Sequence, residues 1–257
     1  MDPTQRFDGT VVATVVMEVA AQVSALRANG EVRLLTTGPE GPTTNADVTA
    51  QALLMDRLVS LFGPAEIVAE EGTYRGIGVV SRFAPLTWII DPLDGTSGYL
   101  SGRATYGVQL AAYGDGKLLG GWISCPDLGW HVTAWEGGAL TVDGIDGYDV
   151  PHRLLIADGD FDTPHLEAMA LRGVSTYARS SSCAVDYALL AAGLLDTAMY
   201  RRTHPWDHAP GSYIVRRAGG RSMRWNGAVY DPGVADEGIL SVANGVDVDT
   251  ARARLLR

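Results

Sequence analysis

The segment Trp88-Ile89-Ile90-Asp91-Pro92-Leu93-Asp94-Gly95-Thr96-Ser97-Gly98-Tyr99-Leu100 places the tightest constraint on how this chain can fold. An apolar run of strand character ends in two acids three residues apart, with a proline between them and Gly-Thr directly after. Carboxylates at the mouth of a core strand are costly unless something pairs with them. Pro92 fixes its own φ and holds Asp91 extended, so the chain can bend with both carboxylates and the Leu93 carbonyl facing one point. Three converging oxygens suit Mg2+, a hard cation that takes oxygen ligands in an octahedral array completed by water and phosphate. Without a cation, neighbouring carboxylates raise each other's pKa; with one, both stay ionised. Gly95-Thr96 then opens what reads as a short helix, whose first amides suit phosphate oxygens. The Thr96 hydroxyl stands where it can orient an attacking water.

Three further acidic sites lie along the chain. Glu70-Glu71-Gly72 closes a predicted strand, Asp47 opens a predicted helix in TTNADVTAQ, and Asp207 opens another in HPWDHAPG. Each alone has a plain structural explanation. A DxxDG stretch is commonly a turn with an Asx cap, paired glutamates a solvated strand end, and Asp at a helix start an N-cap. Their joint placement at strand ends and helix starts, where open α/β folds carry their sites, argues instead for one acidic centre.

Hydrophobic spacing supplies the frame. Val12, Val15, Val16, Val19, Val23 and Leu26 recur at helical period, which predicts a helix over 11–28 ended near Asn29-Gly30. A second helix is expected over 47–62, stopped by Gly63-Pro64. EIVAE (66–70) and LTWII (86–90) read as short buried strands, and TYGVQLAAY and KLLGGWISC flank a hairpin turn at Gly114-Asp115-Gly116. WHVTAWEGGALTVDG reads as a further strand and hairpin. Beyond about residue 150, RLLIA, VSTYA, DTAMY, RSMRW and ILSVA alternate with helical stretches near 164–171, 183–194, 207–218 and 247–256. An α+β half over 1–148 is thus expected to pack on an α/β half over 149–257. No internal repeat or low-complexity tract interrupts it.

Composition narrows the partners. A net charge of −10 over 257 residues argues against nucleic acid or an anionic membrane, but not against an anionic small substrate held through metal ions. Cys125 and Cys183 give neither a disulfide framework nor a zinc knuckle, and the five histidines show no metal-binding spacing. Glu18 and Gln22 interrupt the first apolar run, which therefore reads as neither signal peptide nor membrane span; a reducing cytoplasm is the expected setting. There is no GxSxG elbow, no GxxxxGK[ST] loop and no complete GxGxxG fingerprint, which disfavours a serine hydrolase, a P-loop kinase and a Rossmann dehydrogenase. ADGDFDTP, with Asp158 as nucleophile, resembles a haloacid-dehalogenase site only in part, because Asp162 stands where that family wants Thr or Val. It also fails as a calcium loop.

Together the acidic segments resemble the inositol monophosphatase family of metal-dependent, lithium-sensitive sugar-phosphate phosphatases. WIIDPLDGTS matches its first signature, AEEG stands where the family has G-E-E, TNAD matches T-x-x-D, and PWDHAPGSYIVRRAGG matches the C-terminal W-D-x-A signature, in the same order over nearly the whole chain. The resemblance implies a layered αβαβα sandwich of the inositol monophosphatase/fructose bisphosphatase type, with the site between two halves. It implies that Glu70, Asp91, the Leu93 carbonyl, Asp94 and Asp207 hold two Mg2+ ions, with Asp47 serving a third, weaker site through water. Glu70 and Thr96 would activate the attacking water, and the Gly95 and Thr96 amides would hold phosphate. The expected reaction is direct, metal-assisted hydrolysis of a small phosphorylated metabolite, in a homodimer as is common among relatives.

Departures bear on the substrate. Ser181-Ser182-Cys183 stands where many relatives have Gly-Ser/Thr-Ala, and Tyr200 replaces a glutamate that binds substrate hydroxyls in inositol phosphatases. Ser182, Cys183, Tyr200 and Arg201 are therefore expected, with Asp94, to shape the substrate pocket. Arg201 and Arg202 either serve a second anionic group or are solvated surface residues. The loop after DGT is similar to the histidinol-phosphatase branch except for Ala104 at its proline position, making histidinol phosphate an alternative substrate. A non-catalytic relative that binds metal or a phosphorylated ligand is the alternative of another class.

Overall fold

The computed structural model describes residues 7–38, 41–75, 80–148, 154–156, 182–234 and 238–255. The first helix, α1 (Gly9–Ala28), is capped by Asp8, whose carboxylate accepts from the Thr10 and Val11 amides. By length and composition α1 is apolar enough to cross a bilayer. Its valine stripe is accounted for here, since Val12, Val15, Val16, Val19 and Val23 are buried in a core shared with Trp88 and Trp122. A hairpin, β1 (Leu34–Gly38) and β2 (Gly41–Thr44), leads into α2 (Asn45–Phe62).

A six-stranded sheet follows, built from β3 (Glu66–Ala69), β4 (Thr87–Asp94), β5 (Gly107–Gly114), β6 (Lys117–Cys125), β7 (Trp130–Trp135) and β8 (Thr141–Asp143), in that spatial order. β3 and β4 run parallel and the remaining neighbours antiparallel. A turn of 3-10 helix, Glu70–Arg75, continues β3, and α3 (Thr96–Leu100) continues β4. The second sheet, in spatial order β11 (Arg221–Arg224), β12 (Ile239–Val242), β10 (Thr197–Tyr200) and β9 (Leu154–Ile156), carries α4 (Cys183–Ala191), α5 (Pro205–Arg217) and α6 (Val248–Leu255).

These pieces stack as α1 and α2, then the six-stranded sheet, then α4 and α5, then the four-stranded sheet, then α6. This is the expected αβαβα order. The middle helices bury apolar side chains toward both sheets, so one core cluster joins Ile89, Val132, Tyr187, Ile214 and Ile239. The expected elements are present to within a few residues, with two differences. β4 runs on to Asp94 rather than ending at Ile90, its ladder to β5 slipping between Asp91 and Asp94 at Pro92, which has no N–H to contribute. The β1–β2 hairpin had no counterpart in the sequence reading. The expected helix near 164–171, the strand VSTYA and the Asp158 segment lie outside the described residues.

Candidate functional site

β4 carries its acids into the seam between the two sheets' helices. Asp91 and Asp94 are buried, and Asp207 reaches them from the first turn of α5. One carboxylate oxygen from each of the three lies within 4.8 Å of the others, a spacing that suits a shared cation. The donors on Asp91 are neutral: Leu93 N at 3.2 Å and Gln109 Nε2 at 3.4 Å. Asp94 is held by two donors from the start of α4, Ser182 Oγ at 2.5 Å and Ala184 N at 2.6 Å.

Glu70, at the end of β3, joins this group. Burial, then the charges of Asp207, Glu71 and Asp47, push its carboxyl well above the usual range. Asp91 is raised likewise, by burial first and then by Glu70, Asp94 and Asp207. The Asp91 and Glu70 carboxyls also share a hydrogen bond, which pushes Asp91 up and holds Glu70 down. The donor set, hard oxygens with mutual repulsion to relieve, fits Mg2+.

Asp47 stands on the other side of this group. Its helix is capped by Thr44 rather than by Asp47 itself; Asp47 occupies the third position of a capping box and accepts from Thr44 N at 2.8 Å and Thr44 Oγ1 at 2.5 Å. The Thr44-x-x-Asp47 spacing carries that signal in the sequence. Burial raises the Asp47 carboxyl, opposed by its bonds to Thr44 and Thr96. The Thr96 hydroxyl lies 2.9 Å from Asp47 Oδ1 and 2.8 Å from the Leu93 carbonyl, so its single hydrogen goes to one of them and its lone pairs remain to accept. Gly95 has φ of 87°, a left-handed turn that glycine makes at low cost, and it starts α3 with Thr96. Asp207 is likewise a first-turn residue and not the cap, which is His204.

The residues expected to face substrate separate. Ser182 is buried, with its hydroxyl on Asp94 and accepting from Val185 N. Cys183 is buried, its thiol grouped with Asp207 and His208 within 4.8 Å. Tyr200 is 1% exposed, and its hydroxyl donates to buried Asp186 at 3.0 Å, with its ring packed on Tyr187 and His208. Arg201, the next residue, is exposed. The sequence reading missed Gln109, Asp186, Tyr187 and His208. His208 donates through Nε2 to the Arg202 carbonyl at 2.8 Å and pairs through Nδ1 with Tyr187 Oη at 3.0 Å.

A model of the inositol monophosphatase family matches residues 1–254. An inositol-1-monophosphatase of Mycobacterium leprae is 30% identical over 247 residues, spanning 89% of this chain and 82% of its own length. Among solved structures, the extragenic suppressor protein SuhB of Bartonella henselae superposes with a TM-score of 0.79 at 22% identity, covering 96% of this chain and 97% of its own. An inositol monophosphatase/NADP phosphatase complexed with NADP and Ca2+ gives 0.80 at 18% identity, covering 96% and 94%. Both of these show the fold.

Proposed function

The chain belongs to the inositol monophosphatase family and is a phosphoric monoester hydrolase, and from that premise we propose that it hydrolyses a small sugar, polyol or related metabolite phosphate with two Mg2+ ions and a directly attacking water. The observation that carries this reading is the convergence of Asp91, Asp94 and Asp207, from two separate elements, at one point within 4.8 Å. Glu70, Asp91, the Leu93 carbonyl, Asp94 and Asp207 would hold the metals, with Asp47 bordering a third, weaker position. Bound there, the metal supplies Lewis acidity that makes water a nucleophile at neutral pH and stabilises the departing oxygen.

The chain's own groups do the rest. Thr96, giving its hydrogen to Asp47, is left to accept one from the water and so aims it. Glu70 takes the water's proton. The Gly95 and Thr96 amides hold phosphate oxygens where α3 begins. Positioning and charge carry most of such a reaction, which asks little covalent chemistry of the protein.

Substrate choice falls to the rim. Tyr200 turns its hydroxyl inward, so no carboxylate from that position reaches substrate hydroxyls, and exposed Arg201 favours a substrate with a further anionic or polar group. The buried Cys183 and Ser182 narrow the wall beneath it. The histidinol-phosphate reading rests on the partial loop match at Ala104 and gains no further support. The division at 148/149 would leave the metal site shared, β4 supplying Asp91 and Asp94 and α5 supplying Asp207. Cys125 and Cys183 form no disulfide, which is consistent with a cytoplasmic setting, and the family resemblance is consistent with a homodimer.

Phosphate release from a panel of phosphomonoesters, with and without Mg2+, tests the reading. Release that requires Mg2+ and falls by two orders of magnitude or so in Asp91→Asn is expected. Metal binding without turnover of any ester would point to the non-catalytic alternative, and inositol 1-phosphate as clearly the best substrate would refute the argument from Tyr200.

A further inference from the structure

Asp94 and Asp207 come from segments more than a hundred residues apart, yet meet at ligand spacing. Asp94 is gripped by the start of α4, through Ser182 Oγ and Ala184 N. Asp207 rides on α5. The separation of the two carboxylates therefore depends on what fixes α4 to α5.

Two buried phenols bridge α4 to α5 and to the strand that leads into it. Tyr187, on α4, meets His208 Nδ1 at 3.0 Å, and His208 adjoins Asp207. Because His208 Nε2 donates to the Arg202 carbonyl at 2.8 Å, Nδ1 is left bare to accept the tyrosine's hydrogen. Tyr200, the last residue of β10 before the loop into α5, donates to Asp186 on α4 at 3.0 Å. The three rings pack on one another, with centroids 5.8 Å apart for Tyr187 and Tyr200, 6.0 Å for Tyr187 and His208, and 4.8 Å for Tyr200 and His208. Three residues past His208, Gly211 brings α5 so near that a Cβ there would lie 2.0 Å from the Tyr187 ring.

We propose that Tyr187 and Tyr200 form a clamp between α4 and the β10–α5 junction that sets the spacing of Asp94 and Asp207, and so act as positioning residues of the metal site; this rests on the metal-dependent reading above. Losing a partner bonded directly to a metal ligand typically costs roughly 10- to 100-fold in metal affinity; the clamp acts one residue further out, through His208 and Asp186, and so belongs at the low end of that range. Ordinary core packing would act differently, lowering stability without touching the metal.

Tyr106 supplies the control. Its ring is buried and its hydroxyl donates to Asp127 at 2.7 Å, beside Arg27, and not to an acid assigned to the metals or to α4 or α5. The experiment is calorimetric titration of Mn2+ into the metal-stripped full chain, for the natural protein, Tyr187→Phe and Tyr106→Phe, with thermal midpoints measured without metal. Tyr187→Phe should weaken Mn2+ binding roughly tenfold or more, while Tyr106→Phe lowers the midpoint and leaves the affinity unchanged. Natural affinity in Tyr187→Phe, with a midpoint lowered as in Tyr106→Phe, overturns the clamp alone. A natural protein that takes up no Mn2+ overturns the metal reading and the clamp with it. Should Tyr187→Phe fail to fold, Tyr200→Phe/Asp186→Asn removes the other arm, and the same criterion applies.

Discussion

At the scale of single residues, Thr96 is the sharpest test of what the site does. Its hydroxyl is held between Asp47 and the Leu93 carbonyl, both buried, so its orientation is set before any substrate arrives. If that orientation aims a water, Thr96→Val should lower kcat roughly 100-fold while Mg2+ affinity stays near natural, and Thr96→Ser should restore most of the rate. Equal kcat in natural protein and Thr96→Val, with only stability lost, would reduce Thr96 to a structural tie. The acids and Thr96 could be read from sequence because Asp91, Asp94 and Thr96 fall in one run of six residues, where spacing alone restricts the chemistry, and Asp47, Glu70 and Asp207 stand at strand ends and helix starts. Tyr187 and His208 could not. They are 21 residues apart, and a tyrosine on an apolar helix looks like any core aromatic until the fold brings its partner within 3.0 Å. Tyr200 was noticed for the residue it replaces, but the direction of its hydroxyl depends on Asp186 in a neighbouring helix.

At the scale of elements, α5 must lie close against the first sheet to deliver Asp207. Gly121 on β6 makes that approach possible: a Cβ there would stand 2.3 Å from the Pro210 carbonyl oxygen, which is backbone and has no rotamer to change. Gly121→Ala should therefore push α5 outward, costing about 1–3 kcal/mol as judged by urea unfolding. The same shift should raise the Mg2+ concentration needed for half-maximal phosphate release, because Asp207 moves with the helix. An unchanged urea midpoint would show that the sheet accommodates the methyl. Helices were legible because burial on one face leaves a period in the sequence, as in the α1 valines, and central strands because burial on both faces leaves a continuous apolar run, as in β4. The β1–β2 hairpin left none. β1 is exposed or half-exposed along its whole length, so no alternation marks it. The close fit of Gly121 to Pro210 was also hidden, since a glycine in a strand signals an approach without naming its partner.

At the scale of the whole molecule, the site stores charge repulsion where the two sheets' layers meet. In the metal-free protein Glu70 and Asp91 are raised well above the unfolded carboxylate range, chiefly by burial and then by neighbouring acids. A carboxyl raised in the folded state binds its proton more tightly there than in the unfolded chain, so its contribution to stability is fully present at low pH and is lost as pH rises through the folded pKa. Asp47 and Glu71 are raised in the same direction by burial and act with them. The metal-free thermal midpoint should therefore fall as pH is raised from the usual carboxylate range to neutrality. A cation that binds only the ionised, folded site opposes this. At a hundred times its dissociation constant it adds about 3 kcal/mol, or roughly 5–10 °C in a chain of this size. Thermal scans from mildly acidic to mildly alkaline pH, with EDTA and with saturating Mg2+, should diverge as pH rises, the Mg2+ curve staying flatter. In Asp91→Asn the metal-free decline should be shallower and the Mg2+ gain small, because one of the repelling charges and one of the ligands are removed together. Parallel curves across that range, with and without Mg2+, would show that the acids are neutralised by groups of the protein itself rather than by metal.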